Sequence, residues 1–199
     1  MDKIVIIGSG GHSKSCIDII LDQGHYEILG LVDYMDDNKI MDFPIIGNDT
    51  DLKTIFNTCK NAAIGIGQLD NGHKRIEMLN KLKNLGFNIP KIISNSATIS
   101  SYSKIGEGTF VMHGSIVGPD SNIGNNCIIN SSAIIEHDVK IAKNTHISTG
   151  AIINGGVEIG ENSFVGSGSI LRNGIKIGNN CFIRMGRNVE KNIKENEKF

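Results

Sequence analysis

From Ile93 to Val189 an aliphatic residue returns at every sixth position without a single insertion or deletion. The series runs Ile93, Ile99, Ile105, Val111, Val117, Ile123, Ile129, Ile135 and onward to Ile183 and Val189, seventeen hexads in a row. Four residues after each stands a mostly small or branched side chain, such as Ala97, Ser115, Cys127, Ala151 or Val157, and a glycine often follows the aliphatic residue directly, as in Ile105-Gly106 and Ile159-Gly160. An α-helix cannot bury one face at period six. A strand can, because its side chains alternate between faces. If each short strand ends in a tight turn, the large and the small inward residue of every hexad pack against the coils above and below. No repeat buries its apolar edge alone, so the stack makes a continuous core. Such a core is a rigid rod, and chemistry must come from residues that depart from the repeat.

The period resembles that of the hexapeptide-repeat left-handed β-helix, whose coils are triangular prisms of three hexads each. Seventeen hexads then make nearly six coils, and at strand spacing of about 4.8 Å the prism is roughly 25 to 30 Å tall.

The first ninety residues read differently. Ile4 to Ile7 is a buried strand that runs into Gly8-Ser9-Gly10-Gly11-His12, after which Ser13 to Asp22 carries helical spacing through Cys16, Ile19 and Ile20. A turn of this kind exposes backbone N–H groups at a helix N-terminus and suits a phosphate or another anion, although a plain tight turn is the competing reading. As a dinucleotide fingerprint it fails, because the third glycine of GxGxxG falls on Ser13. Glu27 to Val32 reads as the second strand. It stops at Asp33, where an acid either meets a ribose or base hydroxyl or caps a loop, and a polar stretch with Asp36, Asp37 and Asp42 follows. Next come a helix over 49–59 with Asp49 as N-cap, a third strand over 62–66 leading into Gly65-Ile66-Gly67, and an amphipathic helix over 73–85 closed by Gly86. Lys74, Arg75, Lys81 and Lys83 form its solvated face, with Arg75 near enough to the start to reach a ligand. Pro90 marks the boundary between an α/β, Rossmann-like domain over 1–90 and an all-β domain over 91–199. The tail from Lys191 to Phe199 is charged and expected to fray.

Composition excludes several classes. Lys plus Arg, 20, nearly cancel Asp plus Glu, 21, so no basic field is present to recruit nucleic acid. No run of about 18 apolar residues is long enough to span a membrane, and the apolar start of the chain is too short for a signal peptide. Four cysteines without a CxxC pair read as buried thiols of a reducing compartment, so the expected location is cytoplasmic.

Outward places of the hexads are mostly Asn, Ser, Gly and Lys, and one dense titratable cluster departs from this: Glu136-His137-Asp138, with His146 nine residues on. A histidine beside a carboxylate has what a general base needs, since the acid fixes the imidazole tautomer and stabilises the imidazolium. A solvated histidine on a rod is the bland alternative. A third reading gathers His113, His137 and His146 across subunits into a zinc site of the gamma carbonic anhydrase type, and a fourth is a non-catalytic scaffold that binds nucleotide sugar.

Gly8-Ser9-Gly10-Gly11-His12, Asp33, Gly65-Ile66-Gly67, Arg75, Ile135-Glu136-His137-Asp138 and His146-Ile147-Ser148-Thr149-Gly150-Ala151 together resemble the bacterial sugar acetyltransferases of the NeuD/PglD type. These join a Rossmann-like domain to a hexapeptide-repeat left-handed β-helix. The resemblance implies a cytoplasmic, homotrimeric acyltransferase of glycan biosynthesis that moves acetyl from acetyl-CoA to the amine or hydroxyl of a nucleotide-linked amino sugar or a sialic-acid-like sugar. It needs no metal and no covalent enzyme intermediate. By the same resemblance Gly10, Gly11, His12, Asp33, Gly65 and Arg75 bind the nucleotide sugar. His137 is the base and Asp138 its partner; His146 and the backbone of Gly155 face the acetyl group, and Gly166 lines the coenzyme's path between two subunits. The chain departs from the family at Ile183-Arg184-Met185-Gly186-Arg187-Asn188, where Arg187 falls on an inward place, and the closing strand with its Pro-Ala ending is missing.

Overall fold

The computed structural model describes residues 1–34, 39–69 and 72–199, which form two compact units. Met1–Gly67 with His73–Ile92 make the first, and Gln68–Gly72 with Ile93–Phe199 the second. Asp36 and Asp37 lie outside the described residues.

In the first unit β1 (Asp2–Ile7) leads into α1 (Gly11–Gln23), followed by β2 (Tyr26–Val32), β3 (Lys39–Ile40), β4 (Phe43–Gly47), α2 (Leu52–Thr58), β5 (Asn61–Ile64) and α3 (His73–Leu85). The sheet order is β3-β4-β2-β1-β5; all neighbours are parallel except β3 and β4. β2 lies on one side of β1 and β5 on the other, so the chain reverses its winding direction at β1, and the crevice beyond such a reversal is where open α/β sheets bind ligands. Val5 and Ile7 of β1, with Ala62 and Ile64 of β5, are buried against Met78, Leu79 and Leu82 of α3.

Three details differ from the sequence expectation. α2 begins at Leu52, not Asp49, because Asp51 takes the capping position. Its carbonyl accepts the N–H groups of Thr54 and Ile55, and its carboxylate accepts the Asn48 N–H at 2.9 Å. Asp49 instead stands 3.9 Å from Lys81. Arg75, expected on the solvated face of α3, is buried at 1% exposure, and its guanidinium donates to the carbonyls of Ile64 and Ile66. Those carbonyls lie at the end of β5 and just beyond it, and the buried guanidinium satisfies them.

The second unit is the parallel β-helix. Each of its two-residue strands pairs with the strand 18 residues on, which makes three faces. The first runs from Ile92–Ile93 to Phe182–Ile183, the second from Thr98–Ile99 to Asn188–Val189, and the third from Lys104–Ile105 to Lys176–Ile177. Inward residues form one continuous core, from Val111 through Ile135, Ile153 and Leu171 to Val189. At the corners the fourth residue of the hexad turns in the left-handed region, φ 56° at Asn126, 57° at Asn144, 57° at Asn162 and 54° at Asn180. Asparagine tolerates that conformation, and along one corner these side chains form a ladder, each Nδ2 donating to the next Oδ1 at 2.9 to 3.2 Å.

The tail corrects the expectation of fraying. Ile193 bridges to Ile177 and Lys198 to Phe182, while Phe199 N donates to Phe182 O at 2.9 Å and its ring packs on the core. These partners are 16 residues apart, so a corner shortened by two residues brings the tail round as a further turn of coil. Arg187 is likewise exposed, not inward; its backbone keeps register, accepting the Ile170 N–H at 2.8 Å, while the side chain leaves the core.

Candidate active site

His137 and Asp138 occupy the two tip positions of a corner, directly after the inward Ile135 and the exposed Glu136. Stacking fixes their backbone from both sides. Asp138 N donates to Pro119 O in the coil below at 3.0 Å, and Gly156 N in the coil above donates to His137 O at 2.9 Å. Asp138 has φ 60°, the left-handed slot of its hexad. That slot swings its carboxylate beside the preceding residue, and Oδ2 lies 2.8 Å from His137 Nδ1. A carboxylate only accepts, so Nδ1 carries the proton and Nε2 keeps its lone pair. The hydrogen bond to Asp138 holds the imidazole pKa above its ordinary value; desolvation opposes this, and the charges of Asp138 and Glu136 reinforce it. Both side chains face solvent, at 57% and 64% exposure, so a reacting group has access to Nε2.

The His137 ring lies on Gly155. A methyl group at Gly155 would stand 2.5 Å from both Nε2 and Cε1, so only glycine permits this ring position. The Gly155 carbonyl accepts Gly174 N at 3.0 Å, and its own N–H has no partner among the described residues. Gly166 has a different reason to be glycine: a side chain there would collide with the backbone of Arg184 and Met185 one coil further on, so coil stacking alone demands it.

His146 is not at a corner. It is the outward residue of a strand on the first face, buried at 5% exposure. Its Nδ1 donates to Gln68 O at 2.7 Å, Nε2 is 3.2 Å from Asn130 Nδ2, and its ring meets Phe164 edge-on at 5.1 Å. His113 Nδ1 pairs with Ser94 Oγ at 2.7 Å. Among the described residues no group of three His, Cys, Asp or Glu side chains is placed to hold a metal ion, and His146 has both ring nitrogens engaged.

In the first unit α1 begins at Gly11 with Gly10 as its cap, and neither a capping side chain nor a first-turn acid covers its N-terminus. Space above Gly10 and Gly11 is open, with nothing within 4 Å of where a side chain would start. Gly65 is the opposite case: a methyl there would stand 2.6 Å from Ser13 Oγ and 2.8 Å from Ile6 Cγ2. Ser13, where the dinucleotide fingerprint has its third glycine, donates to Gly8 O at 2.7 Å and Gly65 O at 3.0 Å, fastening the turn to the end of β5. Asp33 is committed in part to the fold. Its Oδ2 accepts Ser9 N at 2.7 Å and Ser9 Oγ at 2.6 Å, and Oδ1 accepts Tyr34 N at 2.7 Å.

Beside this turn a cavity of about 590 Å³ opens at the carboxyl ends of β1 and β2, lined by Gly8, Asp33, Tyr34, Ile66, Lys74 and Met78 among others. Lys74, expected on the solvated face of α3, lines this cavity, whereas Arg75, expected to reach a ligand, lies buried beneath the end of β5. In α3 Arg75 falls on the buried side and Lys74 on the exposed side, and the apolar pattern of the helix alone does not say which is which.

Residues 3–82 match the PglD N-terminal domain, and residues 102–137, 138–173 and 156–186 match the bacterial transferase hexapeptide (six repeats). A His-to-Ala variant of the GDP-perosamine N-acetyltransferase from Caulobacter crescentus, in complex with CoA and GDP-perosamine, superimposes with a TM-score of 0.94 at 28% identity over 98% of this chain and 92% of that one. The acetyltransferase domain of PglB from Neisseria gonorrhoeae, in complex with acetyl coenzyme A, gives 0.93 at 28% identity over 98% and 94%. No curated protein sequence matches at a significant level.

Proposed function

We propose that this chain, a sugar acetyltransferase of the NeuD/PglD type built from a PglD N-terminal domain and bacterial transferase hexapeptide repeats, acetylates the amine of a nucleotide-linked amino sugar, with His137 as general base. The observation that carries the reading is the His137–Asp138 pair, oriented by stacked coils with Nε2 open to solvent. The amine is preferred to a hydroxyl because the structural relatives include an N-acetyltransferase bound to a nucleotide sugar that carries an amine.

In this reading His137 Nε2 accepts a proton from the acceptor nitrogen as that nitrogen bonds to the thioester carbon. The C–S bond then breaks, and the thiolate leaves with a proton returned through the same imidazole. The unpartnered N–H of Gly155, in the coil next to His137, is a donor for the developing oxyanion. The first unit supplies the nucleotide site, with the diphosphate over Gly10, Gly11 and His12 and the base or ribose in the cavity by Asp33. Gly65 and Arg75 support that site from beneath by shaping the end of β5. His146, buried in the wall, faces the acetyl group, and Gly166 lines the coenzyme's path. The product belongs to glycan biosynthesis, and four free, buried cysteines suit the reducing cytoplasm. No helix among the described residues is long and apolar enough to cross a membrane.

Incubating the protein with acetyl-CoA and a panel of GDP-, UDP- and TDP-linked amino sugars should release free thiol with at least one of them. Absence of thiol release across the panel, with sialic acid included, would overturn the reading.

The homotrimer is part of the proposal. On the second face the outward residues Ile116, Ile134, Ile152 and Ile170 form an apolar stripe, with Ile116 and Ile170 at 42% and 40% exposure. The third face carries instead the ion-paired Lys140, Glu158 and Lys176. His137 lies at the edge of the apolar face, so a second copy packed there would border the base and complete the site. Light scattering should give about three times 21.5 kDa. Ile134→Asp with Ile152→Asp should yield a smaller species without activity; an active monomer would refute the assignment.

A further inference from the structure

On the first face of the β-helix the outward residues Phe110, Ile128, His146, Phe164 and Phe182 are paired in register, and His146 is the one polar side chain among them. It is buried there, with the Phe164 ring edge-on to it and the Phe182 ring stacked on Phe164 at 4.9 Å. An aliphatic residue would fill this place in the column with no polar atom to satisfy, whereas a buried imidazole is costly unless its nitrogens are hydrogen-bonded. One of its partners, Asn130 in the coil before, belongs to the repeat. The other does not. Gln68 comes from the connection between β5 and α3, and it is grouped with the β-helix unit although it lies outside the hexads.

Gln68 is held on the coils by its own side chain. It is buried, and its Nε2 donates to Asn144 O at 3.2 Å, with Ser163 O of the next coil at 3.5 Å. The Gln68 main-chain carbonyl then stands 2.7 Å from His146 Nδ1. A carbonyl only accepts, so Nδ1 keeps the proton and Nε2 the lone pair. Nε2 in turn accepts from Asn130 Nδ2 at 3.2 Å, and that amide is kept from turning over because its Oδ1 accepts Ser131 N at 2.8 Å. The ring is thus fixed in tautomer and in orientation from two sides. With its one N–H committed to Gln68, it offers a neighbouring acyl group neither an acid nor an oxyanion donor. What it offers is a rigid surface, backed by Phe164.

We propose, resting on the acetyltransferase reading in which His146 faces the acetyl group, that Gln68 is a positioning residue: it fixes the His146 ring as a wall against the transferred acyl group, and this wall limits the donor to acetyl. Gln68→Met in the full chain keeps the length of the side chain and removes its donor, and Gln68→Ala removes both. In each variant kcat/KM for propionyl-CoA relative to acetyl-CoA should rise about tenfold, the worth of one methylene against a rigid pocket, while the KM for the nucleotide sugar stays within about twofold. A merely structural role would lower turnover of both donors together and leave their ratio unmoved, so an unchanged ratio in a folded, active variant would overturn the assignment and leave the acetyltransferase reading standing. The tautomer is tested without activity and without any substitution at Gln68. Wild-type protein with 15N-labelled histidine should show a ring protonated at Nδ1 whose signal is absent from His146→Asn, and exchange of that proton should quicken in Gln68→Met. Protonation of that ring at Nε2 would overturn the assignment equally. A wild type that shows the Nδ1 signal but transfers neither acyl group would remove the acetyltransferase reading itself, and this assignment with it.

Discussion

His137→Ala should lower kcat by about 10² to 10⁴ while the melting temperature stays unchanged. The loss follows from geometry: Nε2 is the nitrogen left with a lone pair once Nδ1 donates to Asp138, and it is open to solvent. Stability is spared because the side chain is exposed and the buried methylenes of the coil belong to Ile135. Asp138→Asn should cost less than loss of the histidine, since the base remains, and its signature lies in the pH profile. The free base is the active form, and its pKa is raised chiefly by the Asp138 hydrogen bond, so the acid limb of kcat/KM should lie above the ordinary histidine value in the wild type. Replacing the carboxylate should move that limb downward. An amine acceptor adds a second rise at higher pH as the ammonium loses its proton. Wild-type turnover by His137→Ala would end the general-base mechanism.

What could be read from the sequence followed from periodicity. Each inward aliphatic repeats every sixth residue, so seventeen strands were countable before any coordinate, and the outward His137 and Asp138 were visible because they break a pattern of Asn, Ser, Gly and Lys. Effects that act between coils were not legible. Nothing local to Gly155 says that an imidazole 18 residues earlier rests on it, and nothing local to Gly166 says that the backbone at Arg184 and Met185 closes over it. The tail was misread for a similar reason. Ile193 and Phe199 keep a spacing of six, but the two-residue shortening before them takes both out of phase with the main series, so the apolar signal was lost among the charges. Arg75 shows the limit of a helical pattern: a long cation counted as polar is buried because two strand-end carbonyls need a donor.

Gly155→Ala should cut kcat by about 10²-fold in a protein that folds and melts normally. The added methyl would stand 2.5 Å from Nε2 and Cε1 of His137, closer than any stable contact, and a tight 3.1 Å from Nδ1. Relief is easy, because the obstructing atoms end an exposed side chain, so the ring swings outward and the coils stay stacked. Displacement by about 1 Å is enough to spoil proton transfer, and the pair with Asp138 at 2.8 Å is lost or bent with it. The acid limb of the pH profile should therefore fall in Gly155→Ala as it does in Asp138→Asn, although Asp138 is still present. Gly155 does not turn in the left-handed region, so alanine brings no backbone strain there. A variant with reduced kcat and an unmoved acid limb would mean that Gly155 serves through its N–H alone and does not seat the imidazole. Full activity would place the reacting ring elsewhere than on this glycine.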